Sequence, residues 1–131
     1  MSEIPSDLFY TAEHEWVKRI GDDAVRVGIT DYAQSALGDV VFVDLPEVGA
    51  DFAAGDEFGR VNSTKSESEL YSPIAAKVVA VNEDLLDAPE LVNNDPYGTG
   101  WLIELQVDAA TLSEALADLL DADSYLEKTD E

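Results

Sequence analysis

Hydrophobic residues recur along the chain in short segments that turn residues separate. Residues 24–29 and 101–107 alternate apolar and polar side chains, which is typical of strands with one buried face. Residues 15–20 and 77–81 also predict strands. Residues 40–43 form a continuous apolar run, which predicts a strand covered on both faces. The pattern therefore predicts many short strands and few long helices.

Helical periodicity is confined to a few segments. Residues 31–37 predict a short helix with Thr30 or Asp31 as its cap and Gly38 at its end. Residues 111–120 predict a C-terminal amphipathic helix, with Thr111 and Glu114 as a capping box. Further helical turns are predicted at residues 83–86 and 124–126, and a loop at 93–98. The fold class is mainly β: one domain over residues 1–131, a β-sandwich with a short helix and a C-terminal helix.

A predicted hairpin at about residues 57–72 has an unusual tip. Eight consecutive polar residues, 62–69, lie between two apolar segments, and Lys65 is the one cation among them. Such a lysine is either a surface residue that keeps a loop soluble or a carrier lysine whose exposed amine is acylated. The pattern alone leaves both interpretations open.

The charge balance restricts the possible partners. The chain has 7 Lys and Arg residues against 29 Asp and Glu residues, a formal net charge of −22. Nucleic acids are excluded as partners and anionic membrane surfaces are disfavoured, because both are bound through Lys and Arg. No calcium-binding loop pattern is present. We interpret the charge as adaptation to a salt-rich cytoplasm, where self-repulsion is screened.

Residues that would make an autonomous active site are missing from the sequence. There is no cysteine and a single histidine, His14, so no metal site is predicted. There is also no phosphate-binding loop and no nucleophile motif, hence no predicted catalytic residue. No apolar run reaches the roughly 20 residues of a membrane helix, and residues 1–7 lack the features of a signal peptide. We therefore predict a cytoplasmic protein without membrane contact.

Several sequence stretches resemble the glycine cleavage H-protein family along nearly the whole chain. Each is weak alone, but their order and spacing are specific. They are residues 10–17, 27–34, 37–46, 71–74, 91–98 and 100–102. The tip departs from the family's common Glu-Ser-Val-Lys-Ala pattern, since residues 62–66 are Asn-Ser-Thr-Lys-Ser, and Ala75-Ala76 replace the family's Ser-Gly.

The resemblance implies a barrel-sandwich hybrid fold shared with lipoyl and biotinyl domains. It also implies lipoic acid attached to Lys65 as an amide. The implied partners are glycine decarboxylase with pyridoxal phosphate, a tetrahydrofolate-dependent aminomethyltransferase, dihydrolipoamide dehydrogenase and a lipoylating enzyme. The protein would be a non-catalytic carrier of one-carbon metabolism.

The resemblance further implies a cleft into which the loaded arm folds. The matching acidic positions are Glu15 and Glu69, which would face a protonated amine, and His14 lies beside Glu15 as a third candidate. Two alternatives to a lipoyl carrier are a biotinyl module, whose lysine is normally flanked by Met, and an unmodified H-like binding protein.

Overall fold

The computed structural model describes residues 7–11 and 14–129. These residues contain nine strands and five helices, joined by loops. The predicted absence of a signal peptide at residues 1–7 therefore lies almost entirely outside the described residues. The elements in chain order are β1 (Phe9–Tyr10), β2 (Glu15–Arg19), β3 (Ala24–Ile29), α1 (Asp31–Leu37), β4 (Val40–Asp44), β5 (Asp51–Phe52), β6 (Glu57–Ser63), β7 (Glu67–Tyr71), β8 (Ala76–Val81), α2 (Asp84–Asp87), α3 (Leu91–Asn94), β9 (Ile103–Gln106), α4 (Ala109–Ala117) and α5 (Ala122–Thr129).

The strands form two antiparallel sheets. A six-stranded sheet has the order β1-β2-β3-β9-β8-β5, and a three-stranded sheet has the order β4-β6-β7. Alternate residues of β3, such as Val25 and Val27, are fully buried in the main core, together with Val61 of the smaller sheet. The prediction of a mainly β sandwich of the barrel-sandwich type, with helical additions, is confirmed.

Aromatic residues form a second, smaller core at one end of the larger sheet. It joins Leu8, Tyr10 and Trp16 to Tyr125 of α5, and the rings of Tyr10 and Tyr125 stack with centroids 4.7 Å apart. Gly28 makes room for the indole, because a Cβ at that position would lie 2.5 Å from the Trp16 ring. This cluster fixes α5 against the strands that lead to His14.

Local signals placed the first helix correctly and the C-terminal helix less well. The Thr30 hydroxyl oxygen accepts from Ala33 N–H at 3.2 Å, so α1 starts where predicted. Helix α4, however, covers Ala109–Ala117 instead of 111–120. Asp108 is its cap and accepts from Thr111 N–H at 3.2 Å, so Thr111 lies inside the first turn and the predicted capping box is wrong.

The prediction that residues 40–43 are covered on both faces is wrong. The register of β4 against β6 shifts between Val40 and Phe42, which indicates a β-bulge. Val40 and Val43 are buried, at 4% and 1% exposure, whereas Val41 and Phe42 are 55% and 52% exposed. The bulge therefore turns two consecutive apolar side chains toward solvent.

Candidate functional site

Lys65 lies at the tip of the β6–β7 hairpin, and its side chain is exposed. Ser63 N–H donates to the Ser66 carbonyl at 2.8 Å, which closes the turn. The Ser63 hydroxyl oxygen accepts from the N–H groups of Lys65 and Ser66, at 3.3 and 3.0 Å. A single serine thus organises the turn. The backbone of the lysine is held, while its side chain extends beyond the sheet.

The turn is also attached to the segment between α1 and β4. Thr64 N–H donates to the Asp39 carbonyl at 3.0 Å. Gly38 has a φ of 85°, and a Cβ there would lie 3.6 Å from Lys65 Cε. The methylene stem of the lysine therefore crosses the end of α1. Within residues 7–11 and 14–129, Lys65 forms no ion pair, so the acids of this surface do not engage its amine.

Asn93 holds that segment in place from a distant part of the chain. Its amide nitrogen donates to the Gly38 carbonyl at 2.8 Å and to Gln34 Oε1 at 3.0 Å. Its Oδ1 atom accepts from Val40 N–H at 2.8 Å. One side chain thus joins the end of α1 to the start of β4, directly below Lys65.

We expect Asn93→Ala to loosen the lysine turn. The variant leaves the Gly38 carbonyl and the Val40 N–H without their partner, which costs about 1–3 kcal/mol of stability. The backbone order parameter of Lys65, measured by ¹⁵N relaxation, should fall from about 0.85 toward 0.6 or below.

Asn82→Ala is the matched control for this change. The Asn82 side chain also makes three hydrogen bonds, with Thr99, Trp101 and Asp84, and none of the three is with the segment below Lys65. It should lose similar stability without changing the order parameter of Lys65. Equal loosening of Lys65 in both variants would show that general destabilisation is the cause.

A cleft of about 300 Å³ opens next to Lys65, between α1 and β7. Helix α1 supplies a mostly apolar wall, and β7 supplies a polar one. Its lining residues are His14, Ile29, Tyr32, Ala33, Ala36, Leu37 and residues 66–70. Because Ser66 lines the cleft and directly follows Lys65, the cleft adjoins the lysine turn.

His14 and Tyr32 line the end of the cleft near the start of α1, and the buried Tyr125 contacts His14. The His14 ring lies 4.8 Å from that of Tyr32, between ring centroids. His14 Nδ1 and Tyr125 Oη are 2.8 Å apart, and Thr30 Oγ1 lies 2.8 Å from the same phenol oxygen. His14 also has a φ of 68°, an uncommon conformation for a residue other than glycine. The histidine is therefore held by hydrogen bonds in a sparsely populated backbone conformation.

Ionisation of the Tyr125 phenol is expected to lower the stability of the fold at alkaline pH. Burial raises the pKa of Tyr125 to about 12, partly opposed by the Thr30 hydrogen bond, from about 10 in an unfolded chain. A raised folded-state pKa contributes stability that is complete below pH 10 and is lost as the pH rises to about 12. We expect Tyr125→Phe to remove a decline of roughly 2 kcal/mol in the free energy of unfolding across this window. Urea unfolding of both proteins from pH 8 to pH 12 measures it, and identical slopes would contradict it.

The two candidate acids have different surroundings. Glu15 is 1% exposed, and its Oε2 accepts from Tyr71 N–H at 2.7 Å. It therefore joins β2 of the larger sheet to β7 of the smaller one, and it does not line the cleft. Glu69 is exposed, lies on β7 and lines the cleft together with His14. The structure thus brings Glu69 and His14 to one cleft next to Lys65, whereas Glu15 does not line that cleft.

Sequence reasoning missed Tyr125, Tyr32 and Asn93 as parts of this site. Asn93 falls in the stretch 91–98 that carries the family resemblance, but we predicted only a loop there, and α3 covers Leu91–Asn94. The position of Tyr125 has no local signal, because its contacts with His14 and Thr30 span 111 and 95 residues.

Comparison with known proteins places these features in a family. The model of the glycine cleavage H-protein family matches residues 8–131. A glycine cleavage system H protein of Mycolicibacterium smegmatis is 73% identical over 125 residues, 95% of each chain, and that of Mycolicibacterium gilvum is 69% identical over the same coverage. The crystal structure of a glycine cleavage system H protein from Mycobacterium marinum superposes with a TM-score of 0.86 at 44% identity, covering 96% of this chain and 98% of that one.

The sequence led to two further expectations, adaptation to a salt-rich cytoplasm and the absence of membrane contact. Adaptation to a salt-rich cytoplasm is not supported by relatives whose sources are Mycolicibacterium species, and it stays a prediction. In residues 7–11 and 14–129, no helix is both long enough and apolar enough to cross a bilayer.

Proposed function

We propose, since the chain belongs to the glycine cleavage H-protein family, that Lys65 is the residue through which it carries its lipoyl group. The protein is a lipoyl carrier of the glycine cleavage system and not itself a catalyst. When bound, the lipoyl group supplies the sulfur atoms that take up the aminomethyl carbon of glycine and are later reoxidised. The observation that carries the proposal is an exposed Lys65 on a braced turn, next to a cleft.

The residues around Lys65 fit an amide-linked arm. Acylation needs an accessible amine, and the Lys65 amine lies beyond a stem that crosses Gly38. The flanking residues Ser63, Thr64 and Ser66 are small, so an enzyme can close around the lysine. The adjoining cleft, about 300 Å³ with an apolar wall on α1, is at the lower end of the range for small-ligand pockets.

Within this cleft we assign different tasks to the three candidates. Glu69 would face a protonated amine on the arm, because a carboxylate forms charge-assisted hydrogen bonds with a cation. His14 forms the end of the cleft, fixed by Tyr125. Glu15 acts indirectly, because its contact with Tyr71 N–H positions β7 and hence Glu69.

The proposed partners follow from membership in the glycine cleavage system. They are glycine decarboxylase with pyridoxal phosphate, the tetrahydrofolate-dependent aminomethyltransferase, dihydrolipoamide dehydrogenase and a lipoylating enzyme, all in the cytoplasm. A flexible arm on a rigid mount raises the effective concentration of its reactive end at each partner. An exposed hairpin tip supports this role, because each enzyme can reach it without rearranging the sheets.

The test is the intact mass of the protein purified from its own cells, followed by mapping of the peptide from Arg60 to Lys77. We expect a lipoyl adduct on Lys65. A biotinyl adduct would indicate a biotinyl module instead. An unmodified Lys65, in cells whose other lipoyl proteins are loaded, would indicate an H-like binding protein.

A further inference from the structure

Two neighbouring apolar residues of β4 face solvent beside the lysine hairpin. In a regular strand successive side chains point to opposite faces, so two exposed neighbours are unusual. Here the bulge between Val40 and Phe42 leaves Val41 55% and Phe42 52% exposed. Large exposed apolar side chains in a contiguous group often mark an interaction surface. We call Val41 and Phe42 the bulge pair.

The bulge pair lies close to Lys65. Phe42 is directly opposite Asn62 in the sheet, and Val40 is opposite Ser63. Asn62 is three residues from Lys65, so chain geometry limits the distance between the Cα atoms of Phe42 and Lys65 to about 15 Å. A stable protein interface covers about 800 Å² on each partner, a disc of roughly 16 Å radius. An enzyme that encloses Lys65 symmetrically therefore also covers Phe42.

We propose that the bulge pair is the apolar anchor by which the enzyme that attaches lipoate to Lys65 docks on the carrier. This inference rests on the proposed function. In the attachment step the Lys65 amine attacks the carbonyl carbon of a lipoyl adenylate. The amide C–N bond forms, the acyl C–O bond to phosphate breaks, and AMP and a proton leave.

The charge around the bulge pair defines the chemistry of the partner surface. Asp39 precedes β4, Asp44 is its last residue, and both are exposed, while Glu67 lies across the sheet on β7. The nearby cation, Arg60, is engaged by Glu57 at 2.9 Å and by Glu67 at 3.2 Å. The docking surface of the enzyme is therefore an apolar pocket edged by Lys and Arg. A second copy of this chain, with its own charge of −22, is a poor occupant.

The experiment compares enzymatic and chemical acylation of the unlipoylated protein. The enzymatic probe is a purified lipoate–protein ligase with lipoyl adenylate, and the chemical probe is the small ester N-acetoxysuccinimide, which needs no docking surface. We expect Phe42→Ser to raise the KM of the ligase for the carrier about tenfold or more. Phe42→Tyr keeps the ring and should stay within about twofold of wild type. Chemical acylation of Lys65 should be the same in all variants.

Val48→Ser is the matched control, since Val48 is 60% exposed and lies on the loop that leaves β4 at the end away from Lys65. It should leave KM unchanged. An unchanged KM in Phe42→Ser overturns the docking inference, as does an equal rise in Val48→Ser. A concentration-dependent dimer that only Phe42→Ser abolishes would assign the bulge pair to self-association and overturn it too. If wild type itself is not loaded, the carrier function of Lys65 fails, which is a separate outcome.

Discussion

We expect Lys65→Arg to yield a folded protein that carries no lipoyl group and does not support glycine cleavage. Arginine keeps the charge and most of the stem, but its guanidinium stays protonated and is not acylated. The exposed turn imposes no packing change, so stability should remain within about 0.5 kcal/mol of wild type. Glycine decarboxylation with the variant as carrier should fall to the rate measured without any carrier protein, because the reactive sulfur atoms belong to the lipoyl group.

Lys77→Arg provides the comparison, because Lys77 is also exposed, on β8, in the other sheet. That variant should be loaded and active. Intact mass and exchange of labelled bicarbonate into glycine measure the two quantities separately. A lipoyl adduct on the Lys65→Arg protein, or normal exchange with it, would place the arm elsewhere.

Glu15→Ala is expected to lower the free energy of unfolding by about 3 kcal/mol. The substitution leaves the partly buried Tyr71 N–H without its acceptor and opens a cavity where the buried Glu15 side chain joins the two sheets. For a protein of this size the corresponding fall in Tm is on the order of 10 °C. Calorimetry and urea unfolding both measure the change.

Glu69→Ala separates this structural effect from a loss of charge near the cleft. Glu69 is exposed and lies on the same strand as Tyr71, so its replacement should change stability by less than about 0.5 kcal/mol. If Glu15→Ala were as stable as Glu69→Ala, the hydrogen bond to Tyr71 would not hold the sheets together.

Elements with local signals could be predicted, and those that depend on pairing could not. Strand β3 has clear alternation, and α1 has a threonine cap and a terminal glycine, so both were found within a residue. The apolar run 40–43 is ambiguous, because only its register against β6 creates the bulge that exposes Val41 and Phe42. Helix α4 begins earlier than predicted. Asp108 and Thr111 are both suitable N-cap residues three positions apart, and the structure uses Asp108.

The residues of the site divide in the same way, because those with a local signal could be predicted and those defined by long-range contacts could not. Lys65 could be singled out because it is the one cation in a polar tip. The contrast between Glu15 and Glu69 could not, since both are acids in a chain with 29 of them. Burial separates them, and burial is set by how β2 meets β7. Asn93 illustrates the same limit, because its partners Gly38 and Val40 are more than fifty residues away.

The wide sequence separation of His14 and Tyr125, 111 residues, has a consequence for biosynthesis. The β6–β7 hairpin is made of local contacts and can pair while the rest of the chain is still being translated. His14, which lines the end of the cleft, is in contrast held by Tyr125 from the last described helix. A nascent chain therefore displays Lys65 before it has a finished compartment for the arm. Tyr125 is synthesised sixty residues after Lys65, and its docking against His14 completes that end of the site.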